Sequence, residues 1–241
     1  MKQMFSLILT ACFISGLFSC NSNTPAAKEE PAKTADTVAA VATPPPPPPA
    51  FKPFDVVEME HTVKDYAKWR PFFNTDSVNR KAIGLENIVV GRSIDKPNSI
   101  LIVLQASDMQ KAKAFSADPK LKEVMTKAGV ISKPAIGYWH VIRFSPNMAI
   151  KEWVEVTHKV KDFDAWVKVF DAEGPATRAA QGMSDAVLSR GIDDPNLVHI
   201  VFDITDMAKA KAAIMSEEKK KLMMSAGVEG KPTVKFYKMA E

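Results

Sequence analysis

Hydrophobic and polar positions follow the same order of periodicities twice along the chain. From Val57 apolar and polar residues alternate, a period of two that is typical of a strand with one buried face. Aromatic residues at helical spacing follow, and after them come two apolar runs joined by a turn, a second helical stretch and a last alternating segment. The predicted order of elements is β-α-β-β-α-β, and it starts again near Trp153.

The two stretches also share residues at matching positions. Val56 to Phe73 and Trp153 to Phe170 agree at 8 of 18 positions. With one extra residue in the second copy, Arg80 to Pro134 and Arg178 to Pro232 agree at 24 of 55 positions. Shared composition does not explain so many identities, so we interpret each copy as one structural unit of a tandem pair.

Start signals and turn signals place the helices and hairpins. Asp65 and Asp162 stand at predicted N-caps, and one helix of some fifteen residues is expected after each. A turn that contains Asp, Pro and Asn joins the two middle strands of each copy into a hairpin. A second helix is expected after Asp108 and after Asp206, with a restart at Asp118 in the first copy.

The third strand of each copy predicts how the copies combine. Ile100 to Leu104 and Leu197 to Phe202 are apolar almost without alternation, which is typical of strands buried on both faces. Helices cover only one face of a ferredoxin-like sheet, so the other face needs a second cover. We therefore predict an α+β fold in which two ferredoxin-like βαββαβ repeats form an intrachain pseudo-dimeric α/β barrel, with four helices outside and an apolar central cavity.

The chain resembles the dimeric α/β-barrel superfamily, which includes antibiotic-biosynthesis-monooxygenase-like and stress-responsive barrel proteins. The resemblance lies in the run H-T-V-K-D-Y-A-K-W of the first copy, the run H-K-V-K-D-F-D-A-W of the second, and the later runs that end A-G-V with K-P two positions on. It covers about 180 residues. Proteins of this kind usually pair two chains, so the resemblance implies a monomeric folded part in which duplication replaces the second chain.

The first residues resemble a bacterial lipoprotein signal peptide. Lys2 supplies a positive start, Met4 to Phe18 is almost uninterrupted apolar sequence too short to cross a bilayer comfortably, and Cys20 follows. The resemblance implies lipidation of Cys20 and loss of everything before it. An ordinary secretory signal and a retained hydrophobic anchor are the alternatives. Asn21 favours the outer membrane of the cell envelope over the inner membrane.

Composition then divides the chain into four predicted segments. Residues 1–19 are the signal peptide, residues 20–52 are a tether rich in proline and alanine, and residues 53–145 and 150–241 are the two barrel repeats. Six consecutive prolines from Pro44 to Pro49 predict a stiff polyproline II spacer, with a proline-binding partner as the alternative.

Cysteine content and charge exclude several kinds of site. Cys12 lies in the predicted signal peptide and Cys20 is the lipidation site, so no disulfide or thiol chemistry is expected in the folded part. The net charge of +4 is spread along the chain and favours no nucleic-acid partner. Lysine runs on the second helices are interpreted as solvated faces, with polyanion binding as the alternative.

Two histidines are the candidate catalytic residues. His61 and His158 occupy equivalent places on an apolar strand face near a helix start. A shielded imidazole there could accept a proton from a bound substrate. The alternative is a hydrogen-bonded core histidine that braces the turn through Asp65 or Asp162.

Two arginines and two glutamates are candidate ligand-binding residues. Arg92 and Arg190 fall on an otherwise apolar face near the hairpin end, where a guanidinium could hold an anion or lie at the barrel rim. Glu58 and Glu155 lie on the opposite face of the first strand and become buried acids if that face lines the interior.

Trp69 and Trp166 could stack on an aromatic ligand, or they could belong to the core. No metal site and no cofactor are expected, because no histidine pair at metal-ligand helical spacing, no phosphate loop and no nucleophile elbow occurs. Two functions follow from the resemblance: binding of a small hydrophobic or aromatic molecule without turnover, and a cofactor-independent monooxygenase-like activity.

Overall fold

A computed structural model describes residues 51–145, 149 and 151–240. The predicted signal peptide, Cys20 and most of the tether lie outside these residues. Within the described residues no helix has the length and apolar character needed to cross a membrane.

Sixteen elements follow one another in two matching series. The first comprises β1 (Phe54–Thr62), α1 (Tyr66–Thr75), α2 (Ser77–Ala82), β2 (Leu85–Ser93), β3 (Ser99–Ala106), α3 (Met109–Ala117), α4 (Pro119–Lys127) and β4 (Ala135–Phe144). The second comprises β5 (Glu152–Val160), α5 (Phe163–Glu173), α6 (Pro175–Ala180), β6 (Met183–Gly191), β7 (Leu197–Ile204), α7 (Met207–Ile214), α8 (Glu217–Ser225) and β8 (Val228–Met239).

The eight strands close into one antiparallel barrel in the order β1-β3-β2-β8-β5-β7-β6-β4. Strand β4 pairs with β1 and with β6, while β8 pairs with β5 and with β2, so these two strands join the halves. The registers at the two junctions match: Val141 lies opposite Ser189, and Met239 lies opposite Gly91. The predicted α+β fold with ferredoxin-like strand and helix order is confirmed.

The helices are shorter than predicted. Where one helix of some fifteen residues was expected after each first strand, the structure has two, because Asp76 ends α1 and Gly174, at φ 79°, ends α5. Pro175 then starts α6 at a position where its missing N–H costs nothing. The restart predicted only at Asp118 also occurs in the second half, where Ser216 caps α8. The prediction of four helices was therefore wrong, because the described residues form eight short helices.

The predicted caps and doubly buried strands are confirmed. Asp65 and Asp162 accept hydrogen bonds from the backbone N–H of Lys68 and Ala165 in the first helical turns. In β3 the residues from Ser99 to Leu104 are almost all buried. Alternate residues of that strand pack under the helices and toward the barrel interior, which explains why the strand shows no polar face.

Candidate functional site

The two faces of the barrel wall carry different residues. On β1, Val57 and His61 face the helices, whereas Val56 and Glu58 face the interior. Strand β5 follows the same rule. The sequence left open which face points inward, and the structure places the predicted histidines and glutamates on opposite sides of the wall.

Each half has an apolar pocket between its strands and its helices. In the first half His61 and Trp69 line a cavity of about 60 Å³, with ring centroids 5.6 Å apart. In the second half His158 and Trp166 line a cavity of about 50 Å³, with centroids 5.3 Å apart. The structure thus brings each candidate histidine together with the candidate tryptophan of its own half.

Neither histidine is braced through the aspartate named as its alternative partner. The carboxylates of Asp65 and Asp162 accept helix N–H groups instead. Both ring nitrogens of His61 and of His158 lack a hydrogen-bond partner among the described residues. Burial lowers the pKa of each imidazole from 6.5 to about 4, so both rings are neutral near pH 7.

The mouths of the two pockets differ. In the second half Lys219 forms an ion pair with Glu173, and the lysine side chain is only 11% exposed. In the first half Leu121 stands at the position that matches Lys219, and Phe72 at the mouth is 51% exposed. A cleft of about 750 Å³ beside α4 shares Leu121 with the first pocket. The first pocket is therefore the more accessible one.

The two candidate arginines do not line any of these cavities. The Arg92 guanidinium donates a hydrogen bond from Nε to the carbonyl of Pro97 and lies 4.5 Å from the Tyr66 ring centroid. Arg190 makes the equivalent bond, to the carbonyl of Pro195. These contacts fix the hairpin turns against the helices, which agrees with the interpretation of rim residues.

The barrel interior contains an acidic cluster with one histidine. Ligand atoms of Glu58, Glu155 and His199 all lie within 4.8 Å of one another, on β1, β5 and β7. They line a cavity of about 70 Å³ whose other walls are mostly apolar. The expected apolar central cavity is therefore polar at this cluster, and two further, mostly apolar pockets lie outside the strands, under the helices.

Burial governs the protonation of this cluster. It raises the pKa of Glu58, and nearby Lys235 only partly offsets that effect. Burial and the charge of Glu58 together raise the pKa of Glu155 well above its ordinary value, although the Trp153 indole donates a hydrogen bond to it at 3.1 Å. Burial lowers the pKa of His199 to about 4. Near pH 7 the imidazole is thus neutral, and at least one of the two acids retains a proton.

A second charged pair lies next to the cluster. Lys235 forms an ion pair with Glu60, which also accepts a hydrogen bond from the Ser99 hydroxyl at 3.0 Å. The hydrogen bonds from Lys235 and from Ser99 lower the pKa of Glu60, although partial burial of the carboxyl group opposes this effect. Glu60 is therefore ionised near pH 7.

The interior is filled differently at matching positions of the two halves. Trp153 packs against Leu101 and Tyr237, and a Cβ atom on Gly91 would lie 2.6 Å from its ring. The absence of a side chain at Gly91 therefore provides the space that the Trp153 indole occupies.

At the matching positions the other side has Val56 in place of the tryptophan, Ser189 in place of the glycine and His199 in place of Leu101. The open part of the cavity lies on that side, because valine leaves the space that an indole fills.

Sequence reasoning missed His199 as a member of a cluster, since its partners are distant in sequence and no local spacing announces them. The sequence did contain a signal, because His199 aligns with Leu101 within an apolar strand. Where one repeat has an apolar residue and the other a polar one, packing alone does not explain the polar side chain. Trp139 was missed for the same reason. Its ring lies 4.7 Å from that of His199 and lines the same side of the interior.

Comparison with known proteins identifies the fold. No protein-family profile matches the chain, and no curated protein sequence matches it. An anthrone oxidase-like protein superimposes with a TM-score of 0.50 at 14% sequence identity, covering 78% of this chain and 92% of its own. A putative monooxygenase from Fusobacterium nucleatum superimposes with a TM-score of 0.51 at 9% identity, covering 78% and 93%. At these identities the likeness establishes a common ferredoxin-like α+β fold.

Proposed function

We propose that this chain binds a small hydrophobic or aromatic molecule, without turnover, in the first-half pocket beside His61 and Trp69. The observation that carries the proposal is that both ring nitrogens of the buried His61 lack a hydrogen-bond partner among the described residues, in an apolar, accessible pocket. A buried polar group without a partner costs free energy, so a ligand that supplies one hydrogen bond gains affinity there. Apolar walls with one such polar group are typical of small-molecule sites.

The size of the pocket limits the ligand. A cavity of about 60 Å³ is less than half of the roughly 150 Å³ that holds benzene in an apolar protein interior. An aromatic ring therefore fits only if it also extends past the exposed Phe72 toward the neighbouring cleft, which shares Leu121 with the pocket. We infer a flat molecule with a hydroxyl or carbonyl group at its buried end.

The alternative, a monooxygenase-like enzyme with a histidine as general base, has weaker support. An imidazole whose pKa is about 4 is a poor acceptor for the proton of a phenol, whose pKa near 10 lies about six units higher. Arg92 and Arg190 are engaged with carbonyl groups and aromatic rings outside the pockets, where neither can steady an anion. Oxygen uptake by the full-length protein with anthrone, the kind of substrate named for the anthrone oxidase-like neighbour, would favour the enzyme instead.

The test of binding uses 1-naphthol as the probe and isothermal titration as the measurement. We expect one site per chain, and we expect His61→Ala to lower the affinity at least tenfold while His158→Ala, its counterpart in the less accessible pocket, leaves it unchanged. Leu121→Lys introduces at the first mouth the residue found at the second, and it should also weaken binding. Absence of saturable binding, or an equal loss in both alanine variants, would refute the proposal.

We further propose that the folded part is a monomeric, intrachain pseudo-dimer that arose by duplication. The matching registers at both junctions and the 24 of 55 identities support this. Within the described residues the closed barrel pairs every strand on both sides, so that barrel offers no strand edge to a partner chain.

We also propose that a lipid on Cys20 anchors the protein in the bacterial cell envelope, at the outer membrane, with residues 20–52 as the spacer. The support is the positive start, the apolar run and the cysteine that follows it. Metabolic labelling with palmitate should mark the wild-type protein and the Cys12→Ala variant but not Cys20→Ala. Label that persists in Cys20→Ala would exclude this anchor.

A further inference from the structure

The acidic cluster of the interior lowers the stability of the fold unless its charges are compensated. Glu58 and Glu155 approach each other inside the barrel, where burial disfavours the charge of both. A protein relieves such a site by keeping protons on the acids, by pairing them with a cation, or by binding a metal ion.

His199 is the second and independent observation. The residue is 5% exposed, and both of its ring nitrogens lack a hydrogen-bond partner within the part of the chain that the structure describes. Its Nε2 atom lies 3.5 Å from Oε2 of Glu58, so the imidazole points into the cluster without closing an ordinary hydrogen bond. Leu101 occupies the matching position of the other half, which indicates that packing does not require an imidazole here.

We propose that Glu58, Glu155 and His199 together bind one divalent transition-metal ion. Two carboxylates and one imidazole form a donor set suited to manganese, iron(II) or zinc. Ligand atoms bound to one such ion at about 2.1 Å lie roughly 3 to 3.5 Å apart, so the present cluster, whose atoms lie within 4.8 Å, closes by up to about 2 Å on binding. Rotation of the two flexible glutamate side chains provides that movement.

The surrounding charges suit a cation. Lys235 is the ammonium group that acts on the cluster, and Glu60 neutralises it through their ion pair. With Glu58 and Glu155 ionised, these two acids and Glu60 carry three negative charges, and Lys235 carries one positive charge. A divalent ion balances the two negative charges that remain. The Trp153 indole, which donates to Glu155, provides the kind of outer contact that orients a metal ligand.

The open cavity adjoins the ligands. Three protein ligands leave coordination positions free, and the apolar side of the cavity beside Val56 and Val187 lies next to them. The metal site is separated from the His61 pocket by the barrel wall, and it does not depend on the function proposed for that pocket.

The test uses the full-length protein after treatment with EDTA, and cobalt(II) and zinc as probes. We expect equilibrium dialysis to give one metal ion per chain and cobalt to give a visible absorption band, both in the absence of any organic ligand. His199→Leu places in the second half the residue already present in the first, and Glu155→Gln keeps the shape of the acid. Each should weaken metal binding by at least about 100-fold.

His140→Gln is the matched control, because His140 contacts Asp55 at 2.6 Å and is the other close histidine and carboxylate pair of the described residues. This variant should bind metal as the wild type does. If His199→Leu, shown by circular dichroism to be folded, keeps full cobalt affinity, or if His140→Gln loses it, the proposed site is wrong. A wild-type protein that binds neither ion at millimolar concentration refutes it as well.

Discussion

The two halves of the barrel share strand register and a buried histidine with its tryptophan, yet the pocket of the first half is the more accessible one. His61 with Trp69 and His158 with Trp166 occupy matching places under the helices. The difference lies at the mouth, where the second half has the Lys219 ion pair. Residues common to both halves thus maintain the fold, and residues that differ determine where a molecule can enter.

In the barrel interior, too, the residues that differ between the halves determine where space is open. Trp153 over Gly91 fills one side, and Val56 with Ser189 leaves the other side open next to His199. Both cavities that carry a proposal therefore lie at positions where the halves diverge. Three changes test the comparison, and they are ordered by the size of their effect.

Low pH should destabilise the protein through the buried histidine that each of the two helix-side pockets contains. The pKa of each histidine falls from 6.5 to about 4 on folding, so between these values the unfolded chain binds more protons than the folded protein. Stability is therefore lost as the pH falls through this window, by about 2 to 3 kcal/mol for each histidine. Urea unfolding at pH 7 and pH 4.5 measures the loss.

His61→Leu and His158→Leu should each remove about the same share of that pH dependence, because their surroundings match. Buried Glu58 has the opposite sign, since its raised pKa favours the folded state at lower pH, but it is unchanged in both variants and cancels in the comparison. Unequal shares would show that the two pockets differ below the mouth as well.

Exchange of interior residues should show that Trp153 and Gly91 act as a pair. Gly91→Ser gives the first half the residue of the second, and its Cβ atom would lie 2.6 Å from the indole, so we expect a loss of about 1 to 3 kcal/mol. In a Trp153→Val background the same change should cost less than about 0.5 kcal/mol, because the ring is absent. A double-mutant cycle by urea unfolding measures the coupling.

Ser189→Gly is the control for this exchange, because Val56 stands in place of the tryptophan on that side. It should cost only the backbone entropy of glycine, about 0.5 to 1 kcal/mol. A coupling near zero between Gly91→Ser and Trp153→Val would contradict the account of why the two sides differ.

Opening of the second mouth should have the smallest effect on stability. Lys219→Leu removes one partner of the almost buried Glu173, a change that usually costs about 3 to 5 kcal/mol. Because Arg178 at 3.5 Å keeps that carboxylate paired, we expect a loss of about 1 kcal/mol here. Titration with 1-naphthol should then give two sites per chain instead of one. Unchanged stoichiometry would mean that the ion pair does not control access.

The sequence predicted the elements well because their signals are local. Alternation, aspartate caps and the Asp, Pro and Asn turn each act within a few residues, and the repeat doubled every signal. The number of helices was wrong because Asp76 and Gly174 interrupt helices at places where the apolar spacing alone continues.

The sites were harder to predict because they depend on which face of a strand points inward. His61 and Glu58 are three residues apart on one strand, yet they belong to different cavities on opposite sides of the wall. The cluster with His199 combines three strands from both halves. Its members could be recognised only as departures from the repeat, such as His199 opposite Leu101.

The pairing of β8 with β2 has a consequence for how the chain is made. This pairing joins the last described strand to β2, the fourth element of the first series, so the barrel stays open until β8 has left the ribosome. A product truncated before Val228 would leave β2 and β5 each with a bare edge, ready to pair with another chain. Closure of the barrel therefore depends on the 12 residues of β8, which supply no ligand to the proposed metal site and no lining residue to the first-half pocket.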